Sequence, residues 1–446
     1  MDLFIIFDYF GSFLTTAFAF VLCLSVIVFI HEFGHYLIGK ICGIQAEVFS
    51  VGFGPVLFSK YDKKGTKWQI AALPLGGFVK FLGDQNSASA PITNDLENNS
   101  LAYLRSTMHG APLWARFLTV AAGPVFNFLF SMIIFFIIFM NQGSTKIPLT
   151  VDKLFPMPFD QKFIEGDVIK SINGIALDSD LGGFTKKLEE SLPGEFASYV
   201  VERKGNLVKL ENVNQNPPYI SQVLPKSAAI SSGLAKGDII LSINSVNITN
   251  FDQIKNFVES SNGESLIIEY WRKGLTYSTD LNPTIVDVPK TDGSFVSTYR
   301  IGIVSTYFPF EPATEGQSPM RAAMNSAEST YLILKGSIKG LYHIVFGNIS
   351  SCNLSGPISI AETSGQMVKQ GSLNYLWFIA VLSVAIGMIN LFPIPVLDGG
   401  HLMFFAFEAV LRKKPNPAVV NGFMTLGFLM IISLMVFSVF NDVLCP

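Results

Sequence analysis

The chain has 446 residues, of which 49% are hydrophobic and only 15% charged, with a formal net charge of −3. Soluble domains carry about 25% charged residues, so this composition argues against a wholly soluble or disordered protein, and the charge balance leaves no basic bulk to seek nucleic acid. Cys23, Cys42, Cys352 and Cys445 lie far apart without a CxxC pair, which predicts neither a disulfide framework nor a thiolate metal site.

The stretch from Gly11 to Ile30 is uncharged, and no Lys or Arg precedes Lys40. It lacks the basic start and small-residue cleavage site of a leader peptide, and reads as a membrane span near 10–34. It runs straight into His31-Glu32-Phe33-Gly34-His35. Residues four apart share one helix face. His31 and His35 can therefore present two imidazoles to one metal, with Glu32 beside them as a base. An isolated match of this kind also arises at polar helix ends. Two histidines and a glutamate at the edge of an apolar span are costly, however, and point to function. Residues 44–83 alternate apolar residues with Gly and Pro and read as short strands. Residues 84–111 are polar and read as loop. A second uncharged stretch, Phe117 to Thr145, predicts a span near 114–141. Asn127 within it reads first as helix packing.

Residues 146–317 hold more than half of the charged residues and repeat themselves. Gly166-Asp167-Val168-Ile169-Lys170-Ser171-Ile172-Asn173 returns as Gly237-Asp238-Ile239-Ile240-Leu241-Ser242-Ile243-Asn244. Glu202-Arg203-Lys204-Gly205 returns as Trp271-Arg272-Lys273-Gly274. Units of about 70 residues are small domains, and two copies are too few for a solenoid. The Gly-Asp start, alternating apolar residues and Asn turn predict hairpins, and Phe251 to Ser260 has helical spacing. The second copy resembles a PDZ domain, through Tyr219-Ile220-Ser221-Gln222-Val223, Pro225-Lys226-Ser227-Ala228-Ala229, Gly233-Leu234 and Gly237-Asp238. The first copy lacks the Ser-Ala-Ala stretch. Such domains add a peptide to a sheet edge, which makes Tyr219 and Ile220 candidate substrate contacts; spacers without a ligand are the alternative.

Residues 319–371 suggest an amphipathic helix interrupted by glycines. Uncharged stretches from Gln370 to Leu397 and from Pro415 to Asn441 predict spans near 374–394 and 418–440. Between them, Asn390-Leu391-Phe392-Pro393-Ile394-Pro395 leads to Leu397-Asp398-Gly399-Gly400-His401. Asp398 reads equally as a third metal ligand or as a helix cap. His109 and His343 read as structural. Positive charge collects after span one (Lys40 to Arg116) and between spans three and four (Arg412, Lys413, Lys414). Both loops are therefore expected on the cytoplasmic side, with both termini and residues 146–317 outside.

HEFGH at the end of a first span and LDG after NxxPxP far downstream resemble the site-2 protease family of intramembrane zinc metalloproteases. The likeness spans nearly the whole chain. It includes Leu73-Pro74-Leu75-Gly76-Gly77-Phe78-Val79-Lys80, Ala121-Ala122-Gly123-Pro124-Val125-Phe126-Asn127-Phe128 and Leu354-Ser355-Gly356-Pro357. The order of parts is that of the regulator-of-sigma-E protease type. The resemblance implies a polytopic α-helical membrane protein with four transmembrane helices, a membrane-associated β-hairpin region and two tandem α+β PDZ domains. Its divisions would be 1–145, 146–215, 216–290, a linker with an amphipathic helix at 291–373, and 374–446.

It further implies one Zn2+ per chain held by His31, His35 and Asp398, with Glu32 as the catalytic base. Asn390 would engage substrate, and Gly76, Gly77 and Phe78 would lie on a strand edge that holds it. The expected partners are single-span membrane proteins and the lipid bilayer, with peptide contacts at the PDZ domains and no nucleic acid. By the same resemblance the substrates would be anti-sigma factors after periplasmic trimming, and signal-peptide remnants, in envelope stress signalling. The setting would be the bacterial inner membrane, with PDZ domains and termini periplasmic and the active site toward the cytoplasm. Two other readings stand beside this one: a PDZ-bearing membrane adaptor with a vestigial metal site, and a soluble metalloprotease whose apolar runs form its core.

Overall fold

The computed structural model describes residues 3–83, 101–177, 196–290, 295–306 and 308–444. Most of the polar loop expected at 84–111 lies outside them, as does Cys445. The chain divides into two compact units, one of residues 1–138, 319–347 and 351–445, the other chiefly of residues 139–318.

The first unit is helical. Its helices are α1 (Leu3–Ile41), α2 (Leu101–Ser106), α3 (Leu113–Gln142), α6 (Pro319–Val345), α7 (Pro357–Gln370), α8 (Ser372–Asn390), α9 (Asp398–Leu411) and α10 (Pro417–Leu444). Among the described residues four segments, Phe13–Ile41, Leu113–Gln142, Ser372–Asn390 and Pro417–Leu444, are long and apolar enough to cross a membrane. Several boundaries differ from expectation, and two of them have a local cause. The first helix carries on through the His-Glu motif and past Gly39 to Ile41 instead of ending near 34, and stops where Gly43 takes a positive φ of 81°. The third stops at Asn390 instead of 394, since Pro393 and Pro395 cannot continue it. Where helices touch, small residues bring backbones together. A Cβ on Gly34 would lie 2.6 Å from the Ala122 carbonyl oxygen, and one on Gly387 3.1 Å from Asn127.

Strands β1 (Ala46–Tyr61) and β2 (Lys67–Phe81) form the expected β region. Val48 to Val51 pair with Lys67 to Ile70 on one side and with Gly77 to Lys80 on the other. The arm at 77–81 is thus an edge of this sheet. Aromatic packing anchors the sheet to α1. Phe49 and Trp68 stack at 4.3 Å, and Tyr36 meets Trp68 edge-on at 5.1 Å. Tyr36 also donates to Asp62 at 3.0 Å, at the turn joining the strands.

Cys352 corrects one expectation: it is disulfide-bonded, while Cys23 and Cys42 are free. Distance along the chain misleads here, because the end of α10 returns to residues 351–359. The Asn441 amide donates to the Leu354 carbonyl at 3.2 Å. Asp442 accepts from the backbone N–H groups of Gly356 (2.8 Å), Ile358 (3.0 Å) and Ser359 (3.0 Å). It caps α7, whose own N-cap, Gly356, has no side chain to do so.

The second unit contains the repeat as two four-stranded sheets of the same strand order. One runs Ile175–Ala176, Val168–Ile172, Phe196–Arg203, Asn206–Asn214; the other Val246–Asn247, Ile239–Ile243, Leu266–Arg272, Leu275–Leu281. The second module adds two helices, α4 (Ala228–Ser231) and α5 (Phe251–Ser260). The repeated motifs are partners. Arg203 clamps the buried Asp167 at 2.8 and 2.7 Å, and Arg272 clamps the buried Asp238 at 2.6 and 2.7 Å. Each carboxylate also accepts a backbone N–H three residues before it, from Ile164 and Ala235. The expected linker from 291 contributes strands instead. Ile303–Val304 pairs with Gln222–Val223, and Phe310–Pro312 with Val151–Leu154. Phe310 is fully buried in the first module's core, so the chain returns to that module after completing the second.

Breaking a buried ion pair by removing one partner costs about 3–5 kcal/mol. Asp238→Ala in the full chain is expected to open the second module to protease at temperatures where the wild type resists, while Lys255→Ala, on the exposed face of α5, leaves resistance unchanged. Limited proteolysis followed by mass spectrometry reads both.

Candidate metal centre

His31 and His35 lie one turn apart on α1, and Asp398 opens α9. Nε2 of His31 and Nε2 of His35 are 3.2 Å apart. Oδ2 of Asp398 lies 3.1 Å from the first and 3.5 Å from the second. A tetrahedral ion with ligands at about 2.0–2.1 Å would separate them by about 3.3–3.4 Å. Both histidines are buried. Oδ2 of Asp398 is buried too and makes no directed hydrogen bond, although two imidazoles face it. An acceptor left unpaired in an apolar interior is costly, and three ligand atoms converging this way fit a cation between them. Among the described residues this is the one such cluster of His, Cys, Asp or Glu.

The local sequence explains how Asp398 is aimed. Pro393 and Pro395 end α8, and the chain turns through short bonds, from Ile394 N–H to the Phe392 carbonyl (2.7 Å) and from Leu397 N–H to the Ile394 carbonyl (2.9 Å). The two glycines after Asp398 press on that turn. A Cβ on Gly399 would lie 2.2 Å from the Phe392 carbonyl oxygen, and one on Gly400 2.4 Å from that of Ile394. The N-cap of α9 is Leu397, so Asp398 is not a cap and its carboxylate faces the two histidines.

Glu32 follows His31 and lines the same cavity of about 930 Å³, together with Gly76, Gly77, Phe78 and Asn390. The backbone N–H of Val79, on the edge arm of β2, donates to the Glu32 carboxylate. Gly77 permits this approach: a Cβ there would stand 3.2 Å from Cγ of Glu32 and 2.7 Å from the Ser50 carbonyl oxygen. Tyr219 and Ile220 belong to the other unit, 5% and 0% exposed, with Ile220 in its core. Their side chains serve packing there.

Helix α3 supplies a second layer that the sequence did not announce. Thr119, Gly123 and Asn127 stand four residues apart on one face. Nδ1 of His35 lies 2.9 Å from the Thr119 carbonyl oxygen, to which it donates; that leaves its Nε2 lone pair for a metal. Asn127 meets Nδ1 of His31 at 3.3 Å. Between them a Cβ on Gly123 would lie 2.4 Å from Nε2 of His35. At the start of α3, the buried Arg116 makes a bidentate pair with Glu408 of α9 at 2.7 and 3.0 Å. The pair ties the helix that begins with Asp398 to the helix that backs the histidines. A charged residue at each of these apolar positions was the available signal. His109 and His401 also line the cavity. Burial, with Lys414 and Arg116 nearby, holds His109 below its usual pKa, and burial does the same to His401. Neither belongs to the cluster of three.

The family described as Peptidase family M50 matches residues 19–434. A protein of Rhizobium meliloti (strain 1021) named as a zinc metalloprotease is 33% identical over 424 residues, covering 95% of this chain and 95% of that one. One of Agrobacterium fabrum, similarly named, is 30% identical over 424 residues, 95% and 94% of the two chains. Protease RseP of Yersinia pestis is 30% identical over 454 residues, 95% and 97%.

Gly123→Ala is expected to evict the metal by driving a methyl group into the imidazole of His35. Zinc content of the purified protein should fall at least about tenfold, while helix content by circular dichroism is retained. Equal zinc in both would show that the ligands tolerate a different packing.

Proposed function

The chain belongs to peptidase family M50, and from that premise we propose that this zinc metalloendopeptidase cuts single-span membrane proteins inside the bilayer. The observation that carries the reading is the meeting of His31, His35 and Asp398 on the cavity that Glu32 lines. In this proposal His31, His35 and Asp398 hold the zinc. When bound, zinc supplies Lewis acidity, which makes water a nucleophile near neutral pH and polarises a peptide carbonyl. Glu32 takes a proton from the attacking water and delivers it to the leaving amine. Asn390, at the end of α8 on the cavity wall, hydrogen-bonds the substrate backbone.

A membrane helix resists hydrolysis because its carbonyls are already paired. The edge arm at Gly77 to Lys80 answers that difficulty. An unwound substrate segment added to this edge would keep its backbone hydrogen bonds while lying beside Glu32. Gly76, Gly77 and Phe78 are substrate-binding in this reading.

The two modules of the second unit are PDZ-type domains in this proposal, and they restrict entry to substrates already trimmed outside the membrane. Anti-sigma factors and signal-peptide remnants are the substrate classes that the resemblance brings, with envelope stress signalling as their setting. Tyr219 and Ile220, buried as they are, would shape such a domain rather than touch its ligand. The basic loops face the cytoplasm in this proposal. The cysteines support that orientation: Cys352 is disulfide-bonded, as in an oxidising compartment, whereas Cys42 beyond the His-Glu motif is free.

Glu32→Gln is expected to keep full zinc and lose cleavage of a truncated single-span substrate in detergent by about 10³-fold or more. Loss of zinc along with activity would make Glu32 a structural residue. For the orientation, an impermeant maleimide applied from the periplasmic side should label Cys352 only after reduction; labelling solely in inverted vesicles would reverse the topology.

A further inference from the structure

Asn127 of α3 stands against His31, and it is 0% exposed. Its amide nitrogen lies 3.3 Å from Nδ1 of His31, while its Oδ1 is buried with no hydrogen-bond partner. That arrangement is chemically inconsistent with metal binding. Nε2 of His31 points into the cluster with His35 and Asp398, so as a ligand it carries a lone pair and Nδ1 carries the proton. An amide N–H cannot accept that proton. Amide oxygen and nitrogen are nearly interchangeable in shape, and turning the amide by half a rotation places Oδ1 on Nδ1–H. The turn resolves two faults at once: the donor facing a donor, and the buried orphan oxygen. The N–H groups then face away from His31, and Ser131 Oγ, one turn along α3, is a buried acceptor that likewise lacks a partner. The side chain is held in place to do this. The Asn127 carbonyl accepts from Ser383 Oγ of α8 at 2.9 Å, and Gly387 leaves room for its Cβ.

We propose that Asn127 is a positioning residue for the metal, its side-chain oxygen accepting Nδ1–H of His31 and so presenting Nε2 to zinc. The Thr119 carbonyl does the same for His35. One histidine is thus oriented by a backbone carbonyl and the other by a side chain, both from a single face of α3. This inference rests on the metal reading of the previous subsection.

Chelator competition on the full-length protein in detergent tests it through zinc affinity, without reference to cleavage. Asn127→Asp keeps an acceptor and loses the amide donor; Asn127→Leu keeps the size and loses both. Asn127→Asp is expected to bind zinc within about threefold of the wild type, or more tightly. Asn127→Leu is expected to bind about 10–100-fold more weakly, with helix content and melting behaviour showing that it folds. Unchanged zinc affinity in Asn127→Leu would overturn the inference and leave Asn127 as helix packing. An equal loss in Asn127→Asp and Asn127→Leu would overturn it as well, by showing that the acceptor is not what matters. A wild type that holds no zinc would overturn the metal reading itself.

Discussion

The architecture of the helical unit turns on one electrostatic constraint. Two imidazoles and two carboxylates sit in an apolar bundle, where each uncompensated polar group costs several kcal/mol. The bundle answers with paired, directed contacts. His35 is held by the Thr119 carbonyl, Asn127 stands against His31, and Val79 reaches Glu32. Arg116 and Glu408 neutralise each other nearby. Asp398 Oδ2, buried between the two imidazoles without a directed hydrogen bond, is a position that fits a divalent cation. Glycines at 34, 123, 387, 399 and 400 then follow as necessities, because backbones must approach this closely for the contacts to form.

The same constraint links the hairpin to the chemistry. A sheet edge inside an apolar medium is normally forbidden by its unpaired backbone groups. Here the sheet is tied to α1 through Phe49, Trp68 and Tyr36, and one N–H group of its edge arm is spent on Glu32. In the proposed function, an edge in this position is a liability for a resting protein and an asset for an enzyme whose substrate arrives with a backbone to be paired.

Much of this was legible in the sequence, for identifiable reasons. His31, Glu32 and His35 form a local motif with helical spacing, and the four apolar stretches announce themselves by length. Asp398 was ambiguous from residues alone, since an acid before two glycines also suits a cap, and the resemblance to a family tipped it. The Gly-Asp and Arg-Lys-Gly repeats were visible as repeats; their meaning, Asp167 with Arg203 and Asp238 with Arg272, needed the fold. Thr119 was invisible because its contribution is a backbone carbonyl, which has no residue identity. Arg116 and Glu408 are 292 positions apart, and nothing local pairs them. Asn127 was read as packing because an amide in a span usually is. The disulfide at Cys352 was missed because spacing along the chain says little once α10 folds back on residues 351–359.

The central claim is that His31, His35 and Asp398 form a zinc site with nitrogen and oxygen ligands. X-ray absorption at the zinc edge tests it most directly, on wild-type protein purified without added metal. The account predicts stoichiometric zinc with nitrogen and oxygen neighbours at about 2.0–2.1 Å, multiple scattering from two imidazoles and no sulfur. Sulfur in the first shell, a single imidazole, or the same spectrum from Asp398→Ala would contradict it.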